Sequence, residues 1–439
     1  MIPKLGVVDS SLIRHTPHEA RSIARSAAYD QGDRPLDTGA RTDSPGLVVA
    51  KGILRYGGHA LREQLTRRRA TRLTDVPVRT REVTREWLTA VLCGEHVGAA
   101  VESYGLEDVS NGTSSRWRAT VTYNDAGRDA GLPTALFAKT SRSWTQRLLL
   151  GMADVLTGEP GFYTHLRPRL EIEAPHGYHG AVDPASGRSI ALMEDIVATR
   201  GATFCTPQTP ISLEEMKGLL ADMAVWHGRY WNDVELDHHS FLRKTPETFI
   251  GNLAKFAGLE KRGMVGVQRA KAVIPDAVLP LYEDLYRALW RSLELAGQGP
   301  LTLLHGDSHI GNVYKTRSGR LGFGDWQVVM RGSWAYDVSY IIATGLAVED
   351  RRAWERDLLA FYLERLGAAG GAAPDFEAAW LAYRRQMLWS YFGWLLSIGR
   401  SAIQPKFQPD AISLGILERA SNAILDLDTL GAVNSSKPA

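Results

Sequence analysis

Leu304-His305-Gly306-Asp307-Ser308-His309-Ile310-Gly311-Asn312-Val313-Tyr314, followed by Leu321-Gly322-Phe323-Gly324-Asp325-Trp326-Gln327, is the stretch on which the reading of this chain turns. Leu301–Leu304 and Leu321–Phe323 have the short apolar pattern of strands, and the residues between them are dense in polar groups. Asp307 and Asn312 lie five residues apart, and Asp325 lies thirteen beyond Asn312 across a Ser-Gly-Arg turn. Two short strands joined by that turn bring Asn312 and Asp325 onto one wall. An amide oxygen and a carboxylate so placed suit a hard cation such as magnesium, which keeps waters and takes phosphate oxygens. Asp307, opposite them across the loop, is placed to accept a proton from a substrate hydroxyl. A lone His-Gly-Asp would mean little; the ordered set at this spacing is specific.

The preceding half of the chain supports the same chemistry. Asn111-Gly112-Thr113-Ser114-Ser115 is a donor-rich connection able to lay backbone N–H groups over phosphates. It lacks the repeated glycines of a phosphate-binding loop, and alone it reads as an ordinary turn. Lys139 ends an apolar strand, where its ammonium would project as a point charge for phosphate. A carboxylate must hold it, and Glu159, twenty residues on, is best placed; Glu171 and Glu173 are poorer choices because they read as strand.

Around these motifs the chain is ordinary globular protein. Its 439 residues are 44% hydrophobic and 23% charged with a net charge of +2, which excludes a disordered chain, a coiled coil and a general drive toward nucleic acid. Cys93 and Cys205 allow one bridge at most and no thiolate cluster for zinc. The greasiest segment, Met387–Ile398, has 12 residues where a membrane helix needs about 20. With no signal-like start, a soluble cytoplasmic chain without a membrane span is expected.

Three regions are expected. Residues 1–80 form an N-terminal extension, irregular to 45 and then helical from Leu47 to Arg72. Residues 51–85 hold ten Lys and Arg against three acids. A solvated helix face accounts for that run best. It also offers a contact for an acidic partner or a second subunit, but no aromatic platform for nucleic acid. Residues 81–195 read as a small, mainly antiparallel sheet with an inserted helix. A helix from Thr84 to Val97 leads into strands before and after the 111–115 turn, at Leu136–Lys139, near Glu171–Glu173 and at Ser189–Met193. Residues 196–430 are mainly helical, with helices at Leu213–Tyr230, Leu281–Leu295, 351–366, 374–399 and 411–425. The fold class is α+β, and the boundary near 195 is where a cleft would lie.

At this point His305–Asn312, Gly324–Gln327 and Ser333-Trp334-Ala335-Tyr336-Asp337 resemble the signature of the aminoglycoside/choline-type phosphotransferases. The nearest branch is the ecdysteroid-kinase-like group, through Met193-Glu194-Asp195-Ile196 and Glu86-Trp87-Leu88. The resemblance covers about residues 80–400 and implies a protein-kinase-like bilobal fold. It implies ATP and magnesium as cofactors and a small-molecule hydroxyl as acceptor. Asp307 would be the base, on a loop shaped by His305 and Gly306, while Asn312 and Asp325 would bind metal. Lys139 would contact the α- and β-phosphates and pair with Glu159, with Asn111, Gly112, Thr113, Ser114 and Ser115 as the phosphate loop. The backbone near Glu194 and Ile196 would hold adenine, and Asp337 would support the catalytic loop. Asp325-Trp326-Gln327 departs from the kinase Asp-Phe-Gly, and implies no mobile activation segment.

Three other readings fit the sequence less well. A metallohydrolase built on His305, His309, Asp307 and Asp325 lacks a third histidine at ligand spacing, and His227 and His238-His239 read as structural and loop residues. A kinase-like protein without activity is argued against by the intact Lys139, Asp307, Asn312 and Asp325. A protein kinase would need a peptide platform, and only a short loop separates Asp325 from Trp334. The aromatic run Trp380–Trp394 reads mainly as core, with an acceptor pocket for an apolar alcohol as the second reading.

Overall fold

The computed structural model describes residues 45–66, 68–400 and 408–435. The expectation of an irregular lead-in over 1–44, and the middle of the basic run at Arg67, lie outside them. Helix α1 spans Pro45–Leu65 and α2 Arg85–Leu92, five residues shorter than expected at its end. Thr84 caps α2, its hydroxyl accepting the N–H of Trp87 at 3.1 Å, which satisfies one of the helix's orphan donors.

Five strands follow: β1 (Val101–Asn111), β2 (Ser115–Tyr123), β3 (Ala135–Thr140), β4 (Gly177–Asp183) and β5 (Arg188–Glu194). They pair antiparallel in the order β1-β2-β3-β5-β4. Strand period two gives the sheet unlike faces. Trp117, Ala119 and Val121 of β2 and Leu136 and Ala138 of β3 pack with Trp87, Leu88 and Val91 of α2 in one small core. The alternate residues, Arg116, Arg118, Phe137 and Lys139, face the other way. On that side Ala191 and Met193 of β5 join the main core of the helical part. Lys139 and Ala191 on this second face line a small cavity with Ser114, Glu159 and Gln327.

Between β3 and β4 the chain forms α3 (Trp144–Met152) and α4 (Gly158–Gly161), which runs on as a wider turn through Phe162–Leu166. Arg147 of α3 is fully buried and grips Glu63 of α1 with two bonds of 2.8 and 2.7 Å, so the N-terminal helix is docked on the small lobe.

The helical part carries α5 (Leu213–Arg229), α6 (Leu259–Ala270), α7 (Tyr282–Gly297), α8 (Trp334–Gly345), α9 (Val348–Ala368), α10 (Phe376–Arg385), α11 (Leu388–Ile398) and α12 (Asp410–Asp426). Met216, Leu219, Leu220 and Met223 of α5 are fully buried at helical spacing, each worth about 1.5–3 kcal/mol of apolar burial. Every residue of α8 is buried, as a central helix requires. Short strands β7 (Thr302–Leu304) and β10 (Met330–Gly332) pair with each other, while β6 (Thr203–Phe204), β8 (Val313–Lys315) and β9 (Leu321–Phe323) form a second small sheet. The α+β kinase-like arrangement expected from the sequence is the one found. Among the described residues no helix is long and apolar enough to cross a membrane.

Other elements also differ from expectation. Glu171–Glu173 is not a strand. The buried Arg167 guanidinium donates to the carbonyls of Leu170, Ile172, Ala174 and Pro175 at 2.7–3.3 Å, so the segment wraps a side chain, and a single backbone bond, from Phe323 N–H to Glu173 O at 3.1 Å, joins it to a strand. The helix expected over 374–399 is two helices. At the break the Gln386 carbonyl accepts from the Ser339 hydroxyl at 3.0 Å, and the Gln386 amide donates to Ser292 O at 2.9 Å.

Candidate active site

The loop from β7 to β8 is built around Asp337, in the first turn of α8. Its carboxylate accepts the backbone N–H of His305 at 2.6 Å and of Gly306 at 3.0 Å, and the Ser308 hydroxyl at 3.3 Å. Gly306 has φ +79°, and a Cβ there would stand 2.3 Å from Val328 O, so only glycine fits. His305 ties the loop to the returning strand. Its Nε2 donates to Gly324 O at 2.9 Å and its Nδ1 accepts from the N–H of Asp307 at 3.3 Å. Burial pushes the His305 pKa down, which keeps the ring neutral. Both nitrogens are occupied, so His305 has no lone pair to give a zinc ion, and the metallohydrolase reading loses its first ligand. His227 is likewise structural: it is buried, with Nδ1 2.8 Å from the Tyr362 hydroxyl.

Asn312 Nδ2 donates to Asp307 O at 2.8 Å and to Asp307 Oδ2 at 3.2 Å. Asn312 O in turn accepts the N–H of Gly324 at 2.8 Å, which sets Asp325 on the same wall. The β8–β9 pairing, Val313 opposite Phe323, is the geometry expected of the turn. Asp325 itself takes a left-handed φ of +58°, a conformation costly for a non-glycine residue and found where a site requires it.

Lys139 bridges the lobes. Its Nζ stands 2.9 Å from Glu159 Oε1 and 3.0 Å from Asp325 Oδ1. Burial pushes the ammonium's pKa down, but Asp325 and Glu159 outweigh it and hold the pKa above its ordinary value. Burial likewise raises Asp325, and Lys139 outweighs it and holds that carboxyl below its ordinary value. For Glu159 burial prevails over Lys139, and the pKa is raised. Two glycines let the Glu159 segment approach this closely. A Cβ on Gly158 would lie 2.2 Å from Gln327 O, and one on Gly180 of β4 would lie 2.2 Å from Pro160 O. Trp326 is buried and stacks on Phe162 with ring centroids 3.9 Å apart and planes at 5°, which fixes Asp325 from behind.

The 111–115 turn closes the β1–β2 hairpin, with Asn111 opposite Ser115. Gln146 of α3, unremarked in the sequence reading, pins it. Its amide donates to Asn111 Oδ1 at 3.0 Å and Gly112 O at 2.8 Å, while Ser115 Oγ donates to Asn111 Oδ1 at 2.7 Å. The signal available was Ser143-x-x-Gln146, a capping box at the start of α3. Gly112 and Thr113 are exposed, and Ser114 lines a small cavity with Lys139, Glu159 and Gln327. Glu194 and Ile196 lie at the end of β5 and just beyond it. The Glu194 carboxylate is committed to Arg200 at 2.5 Å and Thr199 at 2.6 Å, while Asp195 caps the next short helix and pairs with Arg118 at 2.7 Å.

On the far side of Asp307, His309 Nδ1 accepts the N–H of Gly311 at 2.9 Å, which leaves the proton on Nε2, 3.6 Å from Asp307 Oδ2. Trp394 of α11 packs edge-on against His309 at 4.9 Å and donates to the Tyr340 hydroxyl at 3.0 Å. Most of the expected aromatic run is core, and its last member reaches the site.

The model of the phosphotransferase enzyme family, APH, matches residues 140–380, more than half of the chain, and the chain belongs to that family. The match includes Glu159, Asp307, Asn312, Asp325 and Asp337 and begins one residue after Lys139. No curated protein matches the chain. Among solved structures it is similar to choline kinase LicA from Streptococcus pneumoniae, at 12% identity over 74% of this chain and 94% of that one, with a TM-score of 0.41. It is also similar to aminoglycoside phosphotransferase APH(3'')-Id from Streptomyces rimosus, at 14% identity over 67% and 92%, with a TM-score of 0.37.

Proposed function

We propose that this phosphotransferase-family chain moves the γ-phosphoryl group of ATP, held with magnesium, to a hydroxyl of a small molecule. The observation that carries the reading is the convergence of two groups: Lys139 bridging Glu159 and Asp325, and Asp307 bonded to Asn312, whose carbonyl holds the Gly324 N–H beside Asp325. Asn312 has its N–H group committed to Asp307, so its amide oxygen is left for a cation, and Asp325 offers Oδ2. One amide oxygen and one carboxylate fit magnesium, which fills its other positions with water and phosphate oxygens. Asn312 and Asp325 would hold the ion, which when bound would supply charge neutralisation to the triphosphate.

The chain's own groups do the rest. Lys139 gives a fixed positive charge to the α- and β-phosphates, and Glu159 keeps it aimed. Asp307 accepts the proton of the acceptor hydroxyl as the new O–P bond forms and the β–γ bridging bond breaks. Asp337, His305 and Asn312 hold that carboxylate in place, so positioning does most of the work. In this reading residues 81–195 are the nucleotide lobe and 196–430 the acceptor lobe, and the backbone beside Glu194 and Ile196 receives the base. Trp394 and Tyr340 beside His309 suit an acceptor with an apolar body. In this reading the nearest branch is the ecdysteroid-kinase-like one, which Glu86-Trp87-Leu88 and Met193–Ile196 support.

The test is a panel of small hydroxyl compounds incubated with the protein, ATP and magnesium, read as new phosphorylated masses. One acceptor gaining a phosphoryl group in step with ADP release is expected. ATP left intact with every alcohol, sugar, sterol and amino alcohol offered would count against the assignment.

A further inference from the structure

The cleft face of the sheet carries a cation that the motifs do not account for. Arg116 of β2 stands directly opposite Lys139 of β3 in the antiparallel register. Cross-strand partners share a face with Cβ atoms about 5 Å apart, so two positive side chains leave the sheet side by side. The neighbouring arginines are matched: Arg118 with Asp195 at 2.7 Å, Arg142 with Asp108 at 3.6 Å, Arg188 with Glu63 at 3.0 Å. Arg116 is half-buried, and among the described residues it makes no ion pair. Its one side-chain hydrogen bond is a long one, 3.4 Å, to the Ser110 hydroxyl. Its Nη1 lies 3.9 Å from where a Cβ on Gly112 would sit, so the guanidinium rests under the 111–115 turn. That turn is poor in glycine and pinned by Gln146. The positive charge over the cleft therefore comes from the strand beneath the turn.

Resting on the nucleotide reading above, we propose that Arg116 is a second phosphate-binding residue, its guanidinium taking non-bridging oxygens of the β- or γ-phosphoryl group beside Lys139. A planar fork of donors suits this better than a second lysine would. The charge of Arg116 also acts on Lys139, Glu159 and Asp325, favouring a lower pKa at each, as its nearness to all three requires.

Titrating the full chain and its variants with ATP plus magnesium, and separately with AMP, tests the assignment. Arg116→Ala should weaken ATP binding about tenfold or more and AMP binding less than about twofold, with Arg116→Lys between. Arg116→Gln, which keeps a polar side chain near Ser110 without the charge, supplies the same reading should the alanine variant not fold. Wild-type affinity for ATP in the uncharged variants, or an equal loss for ATP and AMP, would overturn the role of Arg116 alone. A wild-type chain binding neither nucleotide would overturn the nucleotide reading and this assignment with it.

Discussion

Asp307 is held by its neighbours: His305 below its N–H, Asn312 on its carbonyl and one carboxylate oxygen, and Asp337 behind the loop. Its side chain stays about one-third exposed, open to an acceptor. Replacing Asp307 by Ala should therefore cut the rate about 10²- to 10⁴-fold while leaving ATP affinity within about twofold. Initial rates beside a nucleotide titration check this, and an unchanged rate would remove Asp307 from the chemistry. The pairing of Lys139 with Glu159 was legible because few carboxylates lie at the right place in the inserted helix. The second contact of Lys139, with Asp325, was not. It depends on how β3 and the β9 turn meet in space, and spacing along the chain says nothing of that. Gln146 and Arg116 were hidden for the same reason, one by a helix packed on a hairpin and the other by strand register.

The short helix α4 is where an element, and not a side chain, decides the site. It carries Glu159 into contact with Lys139 only because Gly158 lies against Gln327 O and Pro160 against Gly180. Gly158→Ala should push α4 away from the Asp325 turn, costing about 1–3 kcal/mol of stability and most of the activity. A urea midpoint and an initial rate measured together test this, and a variant with wild-type values of both would show that the close approach is dispensable. The long helices were readable from their apolar spacing, and α5 and α7 lie within a residue or two of expectation. Strand β4 was missed: its two glycines and mixed burial break the alternation by which strands are recognised. Glu171–Glu173 had a strand-like look, yet the Ile172 carbonyl and those of the flanking Leu170 and Ala174 go to Arg167.

Across the whole molecule, a net charge of +2 conceals buried and half-buried imidazoles that make stability depend on acid. Burial lowers the pKa of His227 and His305, and burial with His239 nearby lowers that of His165 to about 4. In the unfolded chain all three bind protons near pH 6.5, so below that value the unfolded state holds more protons than the folded one. Stability should fall as pH drops from about 6.5 toward 4, by at most about 1.4 kcal/mol per unit for each group. A urea midpoint that stays level from pH 6.5 to 4.5 would contradict their neutral burial. The α+β plan was visible in the change from alternating to helical spacing along the chain. The docking of α1 through Glu63 and Arg147 was not, because a buried ion pair between distant helices leaves no local trace. A magnesium-dependent nucleotide site at Lys139, Asn312 and Asp325 should show itself in the melting temperature. ATP with magnesium should raise it by a few degrees, ATP or magnesium alone should raise it less, and Asp325→Ala should abolish the magnesium-dependent part. A wild-type melting temperature unmoved by ATP and magnesium together, or a full shift retained in Asp325→Ala, would contradict the account.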